Sequence, residues 1–201
     1  MSFWHDAIGK LETILADSGC EDGVVTLGVN YDADVCQYPR GVSLEGCFGG
    51  RSGQFVTSEP IRANTRVSFM FGAPLANPKQ RGAAGAIVNA VSAFLCLARK
   101  LRPCTPDRYA PCLAELSREV AGKQVYLVGP MPVLKRALGN QVVDSPEAAD
   151  LFLVAGDGMT TDAGIACIDE YRGKKRMIFL GPSAAGVSGL ISLEHWCPYG
   201  R

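Results

Sequence analysis

His195 and Cys197, in the stretch EHWCPYGR, are the residues whose chemistry stands out first. Imidazole and thiolate together suit zinc, copper or iron. Cys197 precedes Pro198, and the residue before a proline is biased towards extended backbone. Side chains two apart in an extended segment share a side, so the pair would point the same way. A third metal ligand would come from Cys36 or Cys47, in a glycine-rich segment far upstream. The chain holds eight cysteines and two histidines, His5 and His195. No two cysteines form Cys-x-x-Cys, so no zinc ribbon, ferredoxin run or thioredoxin motif is written here. The competing reading is a tail packed by Trp196 and Tyr199, with cysteines acting as small apolar residues. His195 is also the one plausible base for a Ser183 or cysteine nucleophile, but no nucleophile motif surrounds it.

A second set of residues suggests a crevice. Two apolar runs stop at Gly-Pro, in VYLVGPMPVL (125–134) and MIFLGPSAAG (177–186). In open α/β sheets ligands sit beyond the carboxyl ends of the strands. That rule gathers Gly129-Pro130, Asp144, Gly156-Asp157-Gly158 and Gly181-Pro182-Ser183. Glycine lets backbone approach a ligand, and free N–H groups at a helix start attract anions. Gly181, Pro182 and Ser183 are expected to cradle an anionic or polar group. Asp157 and Thr160 would border it, and Asn89 would reach in from a helix in the first half. Asp144 ends a short strand, where dinucleotide folds keep an acid for ribose hydroxyls. Gly-Pro is equally an ordinary turn, and Asp162 with Thr160 or Thr161 equally suits a helix start. Neither Gly-x-Gly-x-x-Gly nor a Walker motif is present, so a nicotinamide or nucleoside-triphosphate enzyme is not expected.

These residues need elements to position them. The first half reads as α+β: a helix over 3–17, a strand over 23–31, a long loop over 32–53 and a strand over 66–72. A helix over 81–101 carries Ala83, Ile87, Ala90, Phe94 and Leu97 at helical spacing. Its second stripe, Gly82, Gly85, Ala86, Asn89, Ser92, Ala93 and Cys96, is nearly all small and suits close packing. Three prolines in 102–111 mark a boundary. The second half alternates: QVYLVG, QVVD, LFLVAG and RMIFLG read as strands, with helices between. The first, third and fourth of these strands are continuous apolar runs, as parallel strands covered on both faces should be. The expected organisation is an α+β lobe (1–101), a linker with a short helix (102–122) and a small Rossmann-like doubly wound lobe (123–201).

Composition narrows the partners. The 201 residues are 47% hydrophobic and 20% charged, with a formal net charge of zero. No interaction with nucleic acid or a membrane surface is expected. The uncharged run 82–98 is short for a membrane span and rich in small residues, so it reads as a buried helix. The opening residues carry no secretion signal, which leads us to expect a cytoplasmic protein with reduced thiols. A homodimer is expected only because small α/β proteins often pair.

Residues 72–186 resemble the DUF364 family, which is associated with heavy-metal chelation. The resemblance rests on a strand ending at Gly129, on Thr160-Thr161-Asp162 at a helix start, and on Gly181-Pro182-Ser183 after a late strand. The APLANPKQRGAAGAIVNAVS stretch, with Asn89-Ala90 in its core, resembles the helix that precedes them. Asp162 stands where the family pattern has Asn, and the tail SLEHWCPYGR replaces a further glycine-rich segment. The resemblance implies an enolase N-terminal-like lobe before a Rossmann-like one, with a site between them. It implies binding or chelation of a heavy metal, or of a metal-binding small molecule. The alternatives are a methyltransferase-like enzyme using S-adenosylmethionine, an enzyme condensing or hydrolysing a heterocycle, and a scaffold without a ligand.

Overall fold

The computed structural model describes residues 2–201. Helix α1, Phe3–Leu15, buries Phe3, Trp4, Ala7, Ile8, Leu11 and Leu15, which recur at helical spacing. Strands β1 (Val24–Asn30), β2 (Val42–Phe48), β3 (Arg51–Thr57) and β4 (Ala63–Arg66) form an antiparallel sheet in the order β3-β2-β1-β4. Helix α2, Pro78–Phe94, lies across β2 and β3. Asn77 caps it by accepting from the Gln80 N–H at 3.0 Å, and Pro78 takes the first helical position.

Three expectations for this half are corrected. The segment 32–53 is not one long loop: it holds β2 and the start of β3 as a hairpin. Phe48 pairs with Arg51 around Gly49-Gly50, whose φ values of 53° and 74° give the two positive angles of a tight hairpin turn. Gly46 and Gly53 disguise the strands, and α2 explains them. A Cβ on Gly46 would fall 2.6 Å from the Ala86 carbonyl oxygen, and one on Gly53 equally close to Asn89. The strand placed at 66–72 is instead β4, followed by a 3-10 turn over Val67–Met70. Finally, α2 stops at Phe94 because the chain turns through a left-handed Cys96 (φ 57°). Phe94 and Leu97 are therefore exposed, while Gly82, Gly85, Ala86, Asn89 and Ser92 are buried.

After α3 (Tyr109–Glu119) the chain alternates β5 (Val125–Val128), α4 (Pro132–Leu138), β6 (Leu151–Val154), α5 (Asp162–Tyr171), β7 (Arg176–Leu180), α6 (Ala185–Ile191) and β8 (His195–Trp196). The sheet is parallel in the order β5-β6-β7-β8. The expected strand QVVD contributes a parallel bridge, Val142 to Val125, on the outer side of β5. β5 is thus flanked by the segments that follow it on both sides, the doubly wound arrangement. The tail is more than packing: it supplies β8, with the Phe179 N–H donating to the Glu194 carbonyl at 2.8 Å. Thr161 caps α5 by accepting from the Gly164 N–H at 3.2 Å.

The fold is α/β, with one antiparallel and one parallel sheet. One hydrophobic cluster runs through both halves, from Trp4 and Phe55 to Phe152 and Phe179, and a second joins Cys36 and Tyr38 to the other face of the parallel sheet. α1 helps join the halves: the Trp4 indole N–H donates to the Met159 carbonyl at 2.6 Å, and Asp6 pairs with Arg172. Among the described residues no helix is long and apolar enough to cross a membrane.

Candidate functional site

The carboxyl ends of β6 and β7 meet the edge strand β3 of the first sheet, and the end of β5 packs beside the turn after β6. Asp157, on the turn after β6, accepts from the Thr57 hydroxyl at 2.8 Å, the Ser58 hydroxyl at 2.5 Å and the Ser58 N–H at 3.1 Å. Thr160 is fully buried, with its hydroxyl 3.3 Å from the Asp157 carbonyl. The Ser183 hydroxyl accepts from the Val56 N–H at 2.9 Å. The Asn89 side-chain NH₂ donates to the Gln54 carbonyl at 2.8 Å and to those of Pro182 and Ser183, each at 3.2 Å. Its Oδ1 accepts from the Gly186 N–H at 2.8 Å. Arg81 adds a clamp, donating to the Thr160 carbonyl at 2.7 Å and to Asp162 at 2.6 Å.

The structure thus brings Asn89, Asp157, Thr160, Pro182 and Ser183 to one joint, where their polar groups bond to the first half or to each other, while neighbouring Gly181 bonds to His195 and Trp196. Pro39 and Val56 of the first half press against Gly156, where a Cβ would fall 2.6 Å from the Pro39 Cβ. Gly129 touches the neighbouring turn, with a Cβ position 2.6 Å from the Gly158 nitrogen. Gly129 and Pro130 also line an open cleft of about 380 Å³, with Arg40, Lys135 and Asp144.

Beside Gly181 the chain assembles something that spacing alone did not signal. Cys36 of the β1–β2 connection, Cys104 of the proline-rich linker, Cys112 of α3 and Cys197 after β8 line one small cavity of about 10 Å³. All are free thiols. Tyr38 is buried there, its hydroxyl 3.0 Å from the Cys112 sulfur. Burial, reinforced by the neighbouring thiols, pushes Cys36 and Cys197 up to about 12. Cys104 is raised for the same reasons. Cys47 is apart from this group, exposed on β2.

His195 bonds through Nε2 to the Gly181 carbonyl at 2.8 Å, so that nitrogen carries the proton and Nδ1 keeps the lone pair. Burial lowers its pKa and favours the neutral ring. Of the expected pair, Cys197 lines the thiol cavity, and His195 bonds to Gly181, which lines it too. Among the described residues no three His, Cys, Asp or Glu side chains form a group that could hold a metal ion as they stand. The donors at the cavity are nonetheless soft thiols, the set that zinc or copper(I) selects.

The raised thiols make stability depend on alkaline pH. An ordinary thiol ionises near 9.0, whereas folded Cys36 and Cys197 hold their protons to about 12. The folded state binds more protons in that interval, so stability is intact below pH 9 and falls as pH rises towards 12. The slope is about 1.4 kcal/mol per pH unit for each thiol. Urea unfolding at pH 8 and at pH 10.5 should show this loss, and Cys36→Ser should reduce the slope.

These features define an α/β protein with an antiparallel sheet, a Rossmann-like parallel sheet and a polar joint at the strand ends of the second. Among solved structures, the chain is similar to a DUF364-family protein of unknown function from Desulfitobacterium hafniense. The match has 15% identity and a TM-score of 0.45, and covers 94% of this chain and 81% of that one. No protein-family model and no curated protein matches the chain.

Proposed function

We propose that the protein binds a soft transition-metal ion, or a small molecule that carries one, at the thiol cavity. The observation that supports this is the convergence of Cys36, Cys104, Cys112 and Cys197, all reduced, from four separate segments. Four thiols gathered by chance as apolar filler would have no need to share a cavity with each other and with a tyrosine hydroxyl. Ligation requires the sulfurs to turn inwards about their side-chain torsions and to shed their protons. A bound cation would offset the burial that now keeps Cys36 and Cys197 neutral. His195, with its proton placed on Nε2, is the nearby nitrogen donor.

The test is an anaerobic titration of the reduced, tag-free protein with cadmium. One equivalent should bind and bring thiolate-to-metal absorption in the ultraviolet. Each displaced proton makes affinity rise about tenfold per pH unit across the neutral range. Cys36→Ser and Cys112→Ser should each weaken binding at least tenfold, and Cys20→Ser should not. Equal affinity in the Cys36→Ser, Cys112→Ser double variant would remove the reading. S-adenosylmethionine belongs in the same series: a melting shift with it and none with metal would favour a methyltransferase-like role.

A further inference from the structure

The chain has zero net charge, yet five cations line one cleft of about 550 Å³. They are Arg51 at the tip of the β2–β3 hairpin, Arg99, Lys100 and Arg102 after α2, and Arg201. Ser52 lines the cleft too. We propose that this cleft binds a small molecule through an oligophosphate group. The site is distinct from the cleft beside Gly129, and the inference stands without the thiol reading.

Charge balance is the first argument. Of the five, Arg201 alone has a carboxylate partner among the described ion pairs, Asp34 at 3.6 Å. Arg51, Arg99, Lys100 and Arg102 have none there, and Arg102 instead donates to the Ser52 hydroxyl. The four cations without an ion-pair partner repel one another, and a multiply charged anion relieves that repulsion.

The second argument is that the cleft is built. The Arg102 N–H donates to the Arg201 main-chain oxygen at 2.8 Å, and the Arg201 N–H returns to the Arg102 carbonyl at 2.9 Å. Gln54 of β3 ties in the Leu101 carbonyl at 3.4 Å. Lys100 is held left-handed, with φ 63°. That conformation is costly for a lysine, and strain of this kind concentrates at functional sites. Glycine would suit the turn better, so the side chain is kept against the backbone preference.

The ligand class follows from the groups. Four of the five cations are guanidinium forks, which match phosphate oxygens in pairs. The volume suits a nucleotide-sized ligand, and several cations favour several charges over one.

Calorimetry at about 150 mM salt, near physiological ionic strength, should rank tripolyphosphate and nucleoside triphosphate well above inorganic phosphate and nucleoside monophosphate. Tripolyphosphate binding as tightly as the nucleotide would identify the phosphates alone as the determinant. A tighter nucleotide would add contacts from its base or sugar. The double variant Arg51→Gln, Arg99→Gln should weaken tripolyphosphate at least tenfold, and Arg118→Gln on α3 should not. Lys100→Gly should keep or raise the melting temperature while weakening binding severalfold. The proposal fails if oligophosphates bind no better than inorganic phosphate, or if binding survives in the double variant. It also fails if single-stranded DNA binds more tightly than tripolyphosphate, which would make the cleft part of a nucleic-acid surface.

Discussion

Replacing Asn89 by aspartate should cost about 3 to 5 kcal/mol of stability, despite the near-identical shape. Asn89 is 0% exposed, and every polar atom of its side chain is in use. Its NH₂ faces the carbonyls of Gln54, Pro182 and Ser183, and its oxygen faces the Gly186 N–H. An introduced carboxylate keeps the last bond and turns the other three into oxygen against oxygen. Protonation restores one donor, so the loss should shrink as pH falls below about 5, the carboxyl titrating with a raised pKa in that site. In a chain of this size the melting temperature should drop by roughly 10 °C near neutral pH. Urea unfolding at pH 7 and pH 4.5 checks both the size and the sign. Near-unchanged stability would mean that Asn89 is free to face a ligand and does not hold the joint.

Asp157→Ala should destabilise by about 2 to 4 kcal/mol. The carboxylate gathers two hydroxyls and a backbone N–H from the end of β3, and neither Lys nor Arg is among its partners. Its removal leaves the proton of the fully buried Thr57 hydroxyl without an acceptor, although that oxygen still accepts from the Glu59 N–H. Asp157→Asn should recover little, because its NH₂ would face donors. Thr57→Val alone should cost less, and the double variant should show a coupling of about 1 to 3 kcal/mol between the two positions. A gain in stability on Asp157→Ala would point the other way, to an acid kept for chemistry at a cost to folding.

The two predictions probe one joint, and they show how much of it was legible beforehand. The strand ends at Gly129 and Gly181 could be read because buried parallel strands write themselves as unbroken apolar runs, and a run must stop where the chain turns. The small stripe on α2 could be read as a close-packing surface for a similar reason: helical spacing is local. That Asn89 reaches Pro182 and Ser183 was expected, but the bonds of Asn89 to Gln54 and of Ser183 to Val56 could not be read, since β3 lies more than thirty positions from Asn89 and more than a hundred from Ser183.

By itself, the sequence determined the α/β class, the division into an α+β half and a parallel half, and the strands β5, β6 and β7. Each rests on periodicity and turn chemistry carried by neighbouring residues. Tertiary structure alone decided the rest. The hairpin of β2 and β3 was hidden because Gly46 and Gly53 are small to admit α2, a constraint written in another segment. β8 is two residues long and exists because β7 is there to pair with it. The thiols at 36, 104, 112 and 197, and the cations at 51, 99, 100, 102 and 201, carry no common spacing. Apart from the run 99–102, they become neighbours only when the core closes, because hydrophobic burial brings together whatever the apolar residues happen to carry beside them.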